Sequence, residues 1–466
     1  MKRVLFFMSG MLLISLGYAQ NEAVSTVEED QIHEEVSTLR DYFINGQVSG
    51  HVRNYLMSTI NNKELTDYYA NAIGASLHLE TANWHGLKFG LKGIFTYQLF
   101  ASDLEKVDPL AGKSSKWERE LFDVNDPHNT KHMDRLEEFY AMYSFRKSFV
   151  QFGKFDIQST PLLSRRDGRM KPFAFEGLWS ELNELKHVKV NLGWIFAVSP
   201  RAMTEWYKAN EAIGMNNNGF QPDGQKANYH ENTQSSGVGV VGINYKPSAK
   251  WSVQFWEYYF DNIMNVNWLQ VDYRSEGLLF GAQYALELPD KYLDGLVYEQ
   301  RYMQPDEKGQ VLAFRGGYKV NQMEYSLNYA HSFKTGRFLF PREFGRENFY
   351  TSIPRSWMDG FGDTDILTFI AKFTGMKKAQ GFSAELRASS VWTPAVSTYT
   401  HNKYNIQPYN QTNLFLKYNF SGKLEGLETG FLYVSRFNHP HTENSPGQIF
   451  NKTNYHQLNF ITNINF

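Results

Sequence analysis

The chain has 466 residues, and its 47 lysines and arginines against 49 aspartates and glutamates give a formal net charge of -2. A balance so close to neutral argues against general nucleic-acid binding, which needs a strongly basic surface. Because the sequence contains no cysteine, a disulfide framework, a thiolate metal site and a lipoprotein anchor are excluded.

The N-terminus has the pattern of a secretory signal peptide. Two basic residues precede an apolar run from Val4 to Leu16, and small residues follow near Ala19. The run is shorter than the roughly 20 residues that a membrane-spanning helix needs. We therefore predict a signal peptide over residues 1–20 and an acidic periplasmic lead-in over residues 21–45.

The composition combines an aromatic content of 16% with a hydrophilic mean hydropathy of -0.49. After the predicted signal peptide, no stretch approaches the roughly 18 consecutive apolar residues of a membrane helix, which excludes helical membrane proteins. An exported, aromatic-rich but hydrophilic chain suits an outer-membrane barrel, because barrel strands need only one apolar face and use aromatic side chains at both interfaces.

From Gln47 onward, apolar and polar residues alternate with the period of two that is typical of strands. The clearest stretch runs from Leu87 to Leu99, where large apolar side chains alternate with residues such as Lys88, Lys92 and Thr96. The pattern predicts about eighteen strands of roughly 10 residues, the length that crosses a bilayer at a tilt of about 45°.

The connections between these strands fall into two classes. Those after even-numbered strands are short, as at 146–148 and 320–322, whereas most of those after odd-numbered strands are long. The predicted long loops are 101–135, 157–174, 199–235, 289–309, 334–363 and 439–454. For residues 46–466 we therefore predict an all-β fold, a transmembrane antiparallel β-barrel with short periplasmic turns and long extracellular loops, in the outer membrane of a Gram-negative bacterium.

The last strand places Leu458, Phe460, Ile464 and Phe466 on one face. A terminal aromatic residue on an alternating strand resembles the assembly signal of bacterial outer-membrane barrels. We expect the barrel-assembly machinery to recognise Phe466, and outer-membrane lipids to contact the apolar faces of the strands.

The strand number predicts a pore, because about 16 to 18 strands enclose an aqueous lumen whereas about eight do not. Active transporters with about 22 strands need a plug domain before the barrel. Here about twenty residues separate the predicted signal peptide from the first strand, so we expect no plug.

The predicted inner faces of the strands are net basic. Cationic side chains in a low-dielectric lumen would guide small anionic or zwitterionic solutes, and arginine pairs carboxylates in a bidentate manner. Alternatively, these charges only hydrate the interior and pair with one another, as Glu385 and Arg387 would. The predicted lining cations are Arg53, Lys88, Lys92, Lys189, Arg315 and Arg387, with Glu80, Asp272 and Glu385 as the acidic minority.

The loop after the fifth strand is the best candidate to narrow the lumen. Its prolines fix turn directions, and Arg165, Arg166, Arg169 and Lys171 lie close together among apolar residues that could pack on the inner wall. The alternative is an external loop with a basic surface patch.

The sequence resembles the OprD family of outer-membrane porins over nearly the whole chain after the signal peptide. The similarity is carried by Gly46–Tyr55, by Asp167–Pro172 and by Val198–Arg201. It implies an eighteen-stranded barrel with a narrow pore and an inner basic ladder that includes Arg169. It further implies passive, substrate-selective uptake of small carboxylate-containing solutes such as amino acids and short peptides. Gly168 stands where many members carry serine, so the hydroxyl contact of those members is not carried over.

Three rival functions remain open at the level of sequence: a hydrolase built on the barrel wall, a surface-adhesive or structural barrel, and a channel for hydrophobic solutes. The lysines of the third strand argue against an apolar lumen. His439 and His441 could suggest a metal site, but two exposed loop histidines are more often ordinary loop residues, and no histidine lies in a recognisable nucleophile motif. We expect no catalytic residue, metal or cofactor, and a monomer or weak trimer.

Overall fold

The computed structural model describes residues 38–62, 64–157, 160–163, 169–376 and 379–466. The predicted signal peptide, most of the predicted lead-in, and Arg165 and Arg166 lie outside the described residues. The strands in chain order are β1 (Gln47–Ile60), β2 (Tyr68–Glu80), β3 (Leu87–Ala101), β4 (Met133–Phe145), β5 (Ser148–Phe155), β6 (Ala174–Leu182), β7 (Val188–Ser199), β8 (Tyr207–Lys208), β9 (Val238–Ser248), β10 (Trp251–Phe260), β11 (Met264–Ser275), β12 (Leu278–Pro289), β13 (Gly309–Val320), β14 (Met323–Ser332), β15 (Thr364–Met376), β16 (Ala379–Trp392), β17 (Tyr409–Asn419), β18 (Leu427–Asn438) and β19 (Tyr455–Asn465).

Eighteen of these strands form one closed antiparallel barrel. Each strand pairs with the next along the chain, except that β7 pairs directly with β9 while the two-residue β8 adds to the end of β7. The first and last strands close the ring through a ladder that runs from His51↔Asn465 to Ile60↔His456. The predicted fold class and strand number are therefore confirmed.

Side-chain exposure separates the two faces of each strand, as the period-two pattern predicted. In β3, Phe89 and Phe95 on the outer face are 47% and 52% exposed, whereas Ile94 and Thr96 on the inner face are 4% and 0% exposed. The outer face is the one that lipid would cover, and it carries the large apolar side chains.

The two ends of the barrel differ as predicted. One end carries short turns, such as 146–147 and 321–322. The other end carries the long loops 102–132, 156–173, 200–237, 290–308, 333–363, 393–408 and 439–454. The connections 61–67 and 261–263 are the short ones at the long-loop end.

Helices are few and short in the described part of the chain. The helix α1 (Leu39–Ile44) begins after Thr38, whose hydroxyl accepts the backbone N–H of Asp41 at 3.2 Å. Tyr42 packs at the outer, short-turn rim of the barrel, where its ring lies 6.5 Å from that of Phe89. The helices α2 (Ala209–Ala212) and α3 (Pro446–Ile449) lie in the long loops.

The largest buried cluster lies between the inner wall and loop 333–363. The rings of Trp268 and Phe349 are 4.6 Å apart, and those of Phe260 and Phe340 are 5.5 Å apart. Burying an aromatic or aliphatic side chain of this size stabilises the fold by about 1.5–3 kcal/mol. The loop is therefore held inside the barrel by the hydrophobic effect.

The seam between β1 and β19 ends on Gly50 and Phe466. Gly50 N–H donates to the Phe466 carbonyl at 2.8 Å, and Phe466 N–H donates to the Gly50 carbonyl at 3.0 Å. A methyl group at position 50 would lie 2.8 Å from the Phe466 ring and closer still to the carbonyl oxygen of Ser76. Position 50 therefore requires glycine for steric reasons.

We predict that Gly50→Val destabilises the folded barrel by about 1–3 kcal/mol, the usual cost of inserting atoms into a filled space. The measurement is urea unfolding of protein refolded in lipid vesicles. Gly93→Val is the matched control, because Gly93 also lies on an outward face of a strand and an added methyl group there meets nothing within 4 Å. Equal stability of the two variants would contradict the steric account.

Candidate pore constriction

The described residues of loop 156–173 include side chains buried inside the barrel. Leu162 and Leu163 are fully buried, and Leu163 forms an isolated β-bridge with Gly345 of loop 333–363. The guanidinium of Arg53, on the inner face of β1, donates to the Arg169 carbonyl. The described parts of this loop therefore reach from β5 and β6 to the inner face of β1.

Two other loops share the interior. Loop 333–363 packs on β10 and β11, as described above. In loop 102–132, Trp117, Leu121 and Phe122 are buried against inward side chains of β1 and β4, among them Tyr55 and Met133. Loops 102–132, 156–173 and 333–363 thus narrow the lumen at the long-loop end, together with residues 200–217 of loop 200–237.

Two cavities lie among these loops and meet one another. The outer cavity has a volume of about 320 Å³ and is lined by residues of the long loops. The inner cavity has a volume of about 430 Å³ and is bounded by loop 333–363 and by β1 and β16 to β19. Arg201 and Arg346 line both cavities, so these two side chains lie where the cavities adjoin.

Positive charge dominates both linings. Of the residues that the structure describes, five cationic side chains and one carboxylate line each cavity. The outer set is Lys116, Arg119, Arg201, Arg342 and Arg346, with Glu120. The inner set is Arg169, Arg201, Arg346, Arg355 and Arg387, with Glu385.

Part of this charge is neutralised inside the protein. Glu120 forms ion pairs with both Arg169 and Arg201. Glu385 pairs with Arg387 two residues along the same strand, as the sequence suggested, and Arg342 pairs with Asp359.

Four of the lining cations have no ion pair within the described chain: Lys116, Arg119, Arg346 and Arg355. One terminal nitrogen of Arg355 and the Nε of Arg346 also have no hydrogen-bond partner there, although Arg355 Nε donates to Gln457 at 2.9 Å. Buried guanidinium donors without partners are costly, and they lie where an anionic ligand could accept from them.

Loss of hydration and then the excess of positive charge lower pKa values in the outer cavity. Loss of hydration and then the nearby cations Arg342 and Arg346 hold the pKa of Lys116 well below its usual value. Burial and then the nearby Arg342 and Arg201 lower the pKa of Arg346 to about 10. An anion entering the cavity would relieve this mutual repulsion.

The inner cavity has a lining of two chemical kinds. Besides its cations, it is lined by the apolar or aromatic residues Tyr55, Trp357, Phe415, Leu432 and Ile461. Such a surface can contact the hydrocarbon part of a solute while the arginines contact its charged part.

A third cavity, of about 530 Å³, lies toward the short-turn end and includes His51, Lys92 and Glu138 in its lining. A β-bulge in β4 turns two consecutive carboxylates inward here, because the register with β3 shifts by one residue next to Lys92. Lys92 Nζ contacts Glu137 at 3.2 Å and Glu138 at 3.0 Å. The positive charge of Lys92 is therefore compensated.

The structure distributes the lining cations predicted from the sequence over several places. Arg169 and Arg387 line the inner cavity, Lys92 lines the third cavity, and Arg53 holds loop 156–173. Lys171 is 1% exposed and lines none of these cavities.

The other predicted cations in the described chain lie on the inner wall, where each contacts a carboxylate or an aromatic ring. Lys88 pairs with Glu80 at 2.8 Å, and Lys189 pairs with Glu181 at 2.8 Å. The Arg315 guanidinium lies 4.2 Å from the centre of the Tyr350 ring of loop 333–363.

Sequence reasoning missed Lys116, Arg201, Arg346 and Arg355 as lining residues. All four lie in long loops, where no periodicity indicates which side chains face the lumen. A usable signal was the apolar content of loop 333–363, whose phenylalanines are unusual for an external loop.

Among the residues that the structure describes, no group of three or more histidine, aspartate or glutamate side chains could hold a metal ion. Within the same residues, no helix is both long and apolar enough to cross a membrane.

Comparison with known proteins identifies similar barrels. Residues 129–294 match the model of a family described as outer membrane porin, OprD family. Pseudomonas aeruginosa OccK9 (OpdG) is similar in structure at 13% identity, with a TM-score of 0.70 over 91% of this chain and 100% of that chain. Acinetobacter baumannii OccAB4 gives 12% identity and a TM-score of 0.67 over 90% and 98% of the two chains. No curated protein matches the sequence.

Lys171 gives rise to a prediction on stability. It is buried, its Nζ has no hydrogen-bond partner in the described chain, and burial followed by nearby Arg135 lowers its pKa from 10.5 to about 7. Between pH 7 and about 10.5 the unfolded chain therefore binds more protons at Lys171 than the folded protein, so this residue makes the free energy of unfolding rise with pH.

We predict that Lys171→Met is more stable than the parent protein at pH 6 and that the difference shrinks as the pH rises toward 10. The measurement is urea unfolding in lipid vesicles at pH 6, 8 and 10, with the exposed Lys131→Met as the matched control. Parallel pH profiles for Lys171→Met and the parent would refute the assignment of a buried, partnerless ammonium group.

Proposed function

We propose that this OprD-like outer-membrane porin lets small carboxylate-bearing solutes, namely amino acids, short peptides and organic acids, diffuse passively into the periplasm. The observation that carries the proposal is the cationic lining of the two cavities that meet at Arg201 and Arg346. A carboxylate on its way through the barrel would pass both side chains.

The positive charges that line the two cavities favour anions over cations. At an effective dielectric constant of about 20, one charge pair at 4 Å contributes about 4 kcal/mol. The solute loses part of its hydration when it enters the narrowed lumen, and arginine replaces those hydrogen bonds in a bidentate manner. Walls of low dielectric constant also focus the field along the passage.

Diffusion requires that the solute leave as readily as it enters. The carboxylates of Glu120 and Glu385, which are paired with lining arginines, weaken the positive potential. The lining therefore attracts an anion without holding it tightly, which suits a channel without an energy source.

The first test is single-channel conductance of the refolded protein in planar bilayers, with the reversal potential measured under a salt gradient. We expect small conductance steps, an anion-favouring reversal potential, and partial block of the current by an added organic acid. A folded, membrane-inserted barrel without conductance would refute the channel, and cation selectivity would refute the basic lining as its filter.

A single substitution sharpens this test. Arg201→Gln removes one charge from the place where the two cavities adjoin, and we predict that it lowers the anion-to-cation permeability ratio about fivefold, the equivalent of about 1 kcal/mol. Lys291→Gln is the matched control, because Lys291 is exposed in loop 290–308 outside both cavities. An equal fall in both variants would show that the effect reflects only overall charge.

A further inference from the structure

The lining of the two cavities discriminates among carboxylate-bearing solutes by the number and sign of their charges. A zwitterionic amino acid needs a carboxylate partner for its ammonium group as well as a cation for its carboxylate. A dianion needs two sites of positive charge and no carboxylate.

Carboxylates able to receive an ammonium group are scarce in this lining. In the described parts of the chain, Glu120 and Glu385 are the carboxylates that line the two cavities. Glu120 already contacts Arg169 and Arg201, and Glu385 already accepts from Arg387. An incoming ammonium group would have to displace an arginine from either of them.

Positive charge without a counter-charge is present in both cavities. Lys116 and Arg119 line the outer cavity, Arg355 lines the inner cavity, and Arg346 lines both. None of the four has an ion pair within the residues that the structure describes, and hydrogen-bond donors of Arg346 and Arg355 have no partner there. The uncompensated charge is thus divided between two adjoining volumes.

We propose that the two cavities together form one binding site for small dicarboxylates, in preference to zwitterions and monoanions. The inference rests on the proposed function and narrows its solute class. One anionic group occupies the outer cavity beside Lys116 and Arg119, the other occupies the inner cavity beside Arg355, and Arg346 contacts both.

The inner cavity also accommodates the carbon chain between two such groups. Trp357 and Phe415 belong to its lining, and their rings provide contact for methylene groups. A monoanion leaves one of the two cationic sets uncompensated, so it gains less than a dianion of the same length.

The test uses three four-carbon solutes that differ in charge: succinate, butyrate and 4-aminobutyrate. The concentration of each that halves the single-channel current of the intact protein is measured at pH 7.4. We expect succinate to act at a concentration about ten times below that of butyrate, since a second ionic contact adds about one factor of ten, and 4-aminobutyrate to be the weakest. Inorganic phosphate is the fourth probe: its charge lies on a single group that cannot occupy both cavities, so we expect it to block more weakly than succinate. A block as strong as that by succinate would overturn the two-cavity arrangement.

Equal block by 4-aminobutyrate and succinate in an anion-selective channel would overturn this inference and leave the proposed function intact. Absence of conductance or of anion selectivity would instead overturn the proposed function itself.

Arg346→Gln tests the shared residue. We expect it to reduce the tenfold preference for succinate over butyrate to about threefold or less, because the side chain that contacts both anionic groups loses its charge. Lys226→Gln, an exposed position in loop 200–237, should retain the preference. An unchanged preference in Arg346→Gln would contradict the bridging role, and the series on the parent protein decides the inference if this variant does not fold.

Discussion

An eighteen-stranded barrel is too wide for the side chains of its own strands to fill, and the loops that fill it bring in backbone groups that must find partners away from bulk water. The inner wall supplies them. Gln283 of β12 accepts from Tyr350 N–H and donates to the Asn348 carbonyl, while Gln411 and Asn413 of β17 donate to the Pro354 carbonyl. The polar side chains of the inner face therefore stabilise the loops, apart from any role toward a solute.

The charged side chains of the inner wall also find partners within the protein. Cations on the wall are mostly engaged by neighbouring carboxylates, as Lys88 is by Glu80 and Lys92 is by Glu137 and Glu138. Cations carried by the inward loops are only partly engaged, and Arg346 and Arg355 retain donors without a partner in the described chain. The excess positive potential thus resides where the inward loops converge rather than along the wall.

This division explains what the sequence could and could not predict. Strand β3 could be predicted because its alternation of apolar and polar residues is local and repeats over its whole length. The bulge at Glu137 was not, because a single extra residue reverses which side chains face inward, and only pairing with β3 reveals it. Arg201 and Arg346 come together from loops far apart in the chain, so no local pattern predicts their meeting. Arg169, which lines the inner cavity, was singled out both by the basic pattern of its loop and by the family resemblance.

The seam between the first and last strands has a consequence for how the molecule forms. Its contacts join positions as distant as Arg53 and Asn463, which are 410 residues apart, so closure carries a large loss of chain entropy. Until β1 meets β19, both strands are open sheet edges, and open edges are templates for pairing with other chains. The barrel is therefore most prone to misassembly before β1 and β19 pair. Gly50 and Phe466 lie at the junction whose formation closes the barrel.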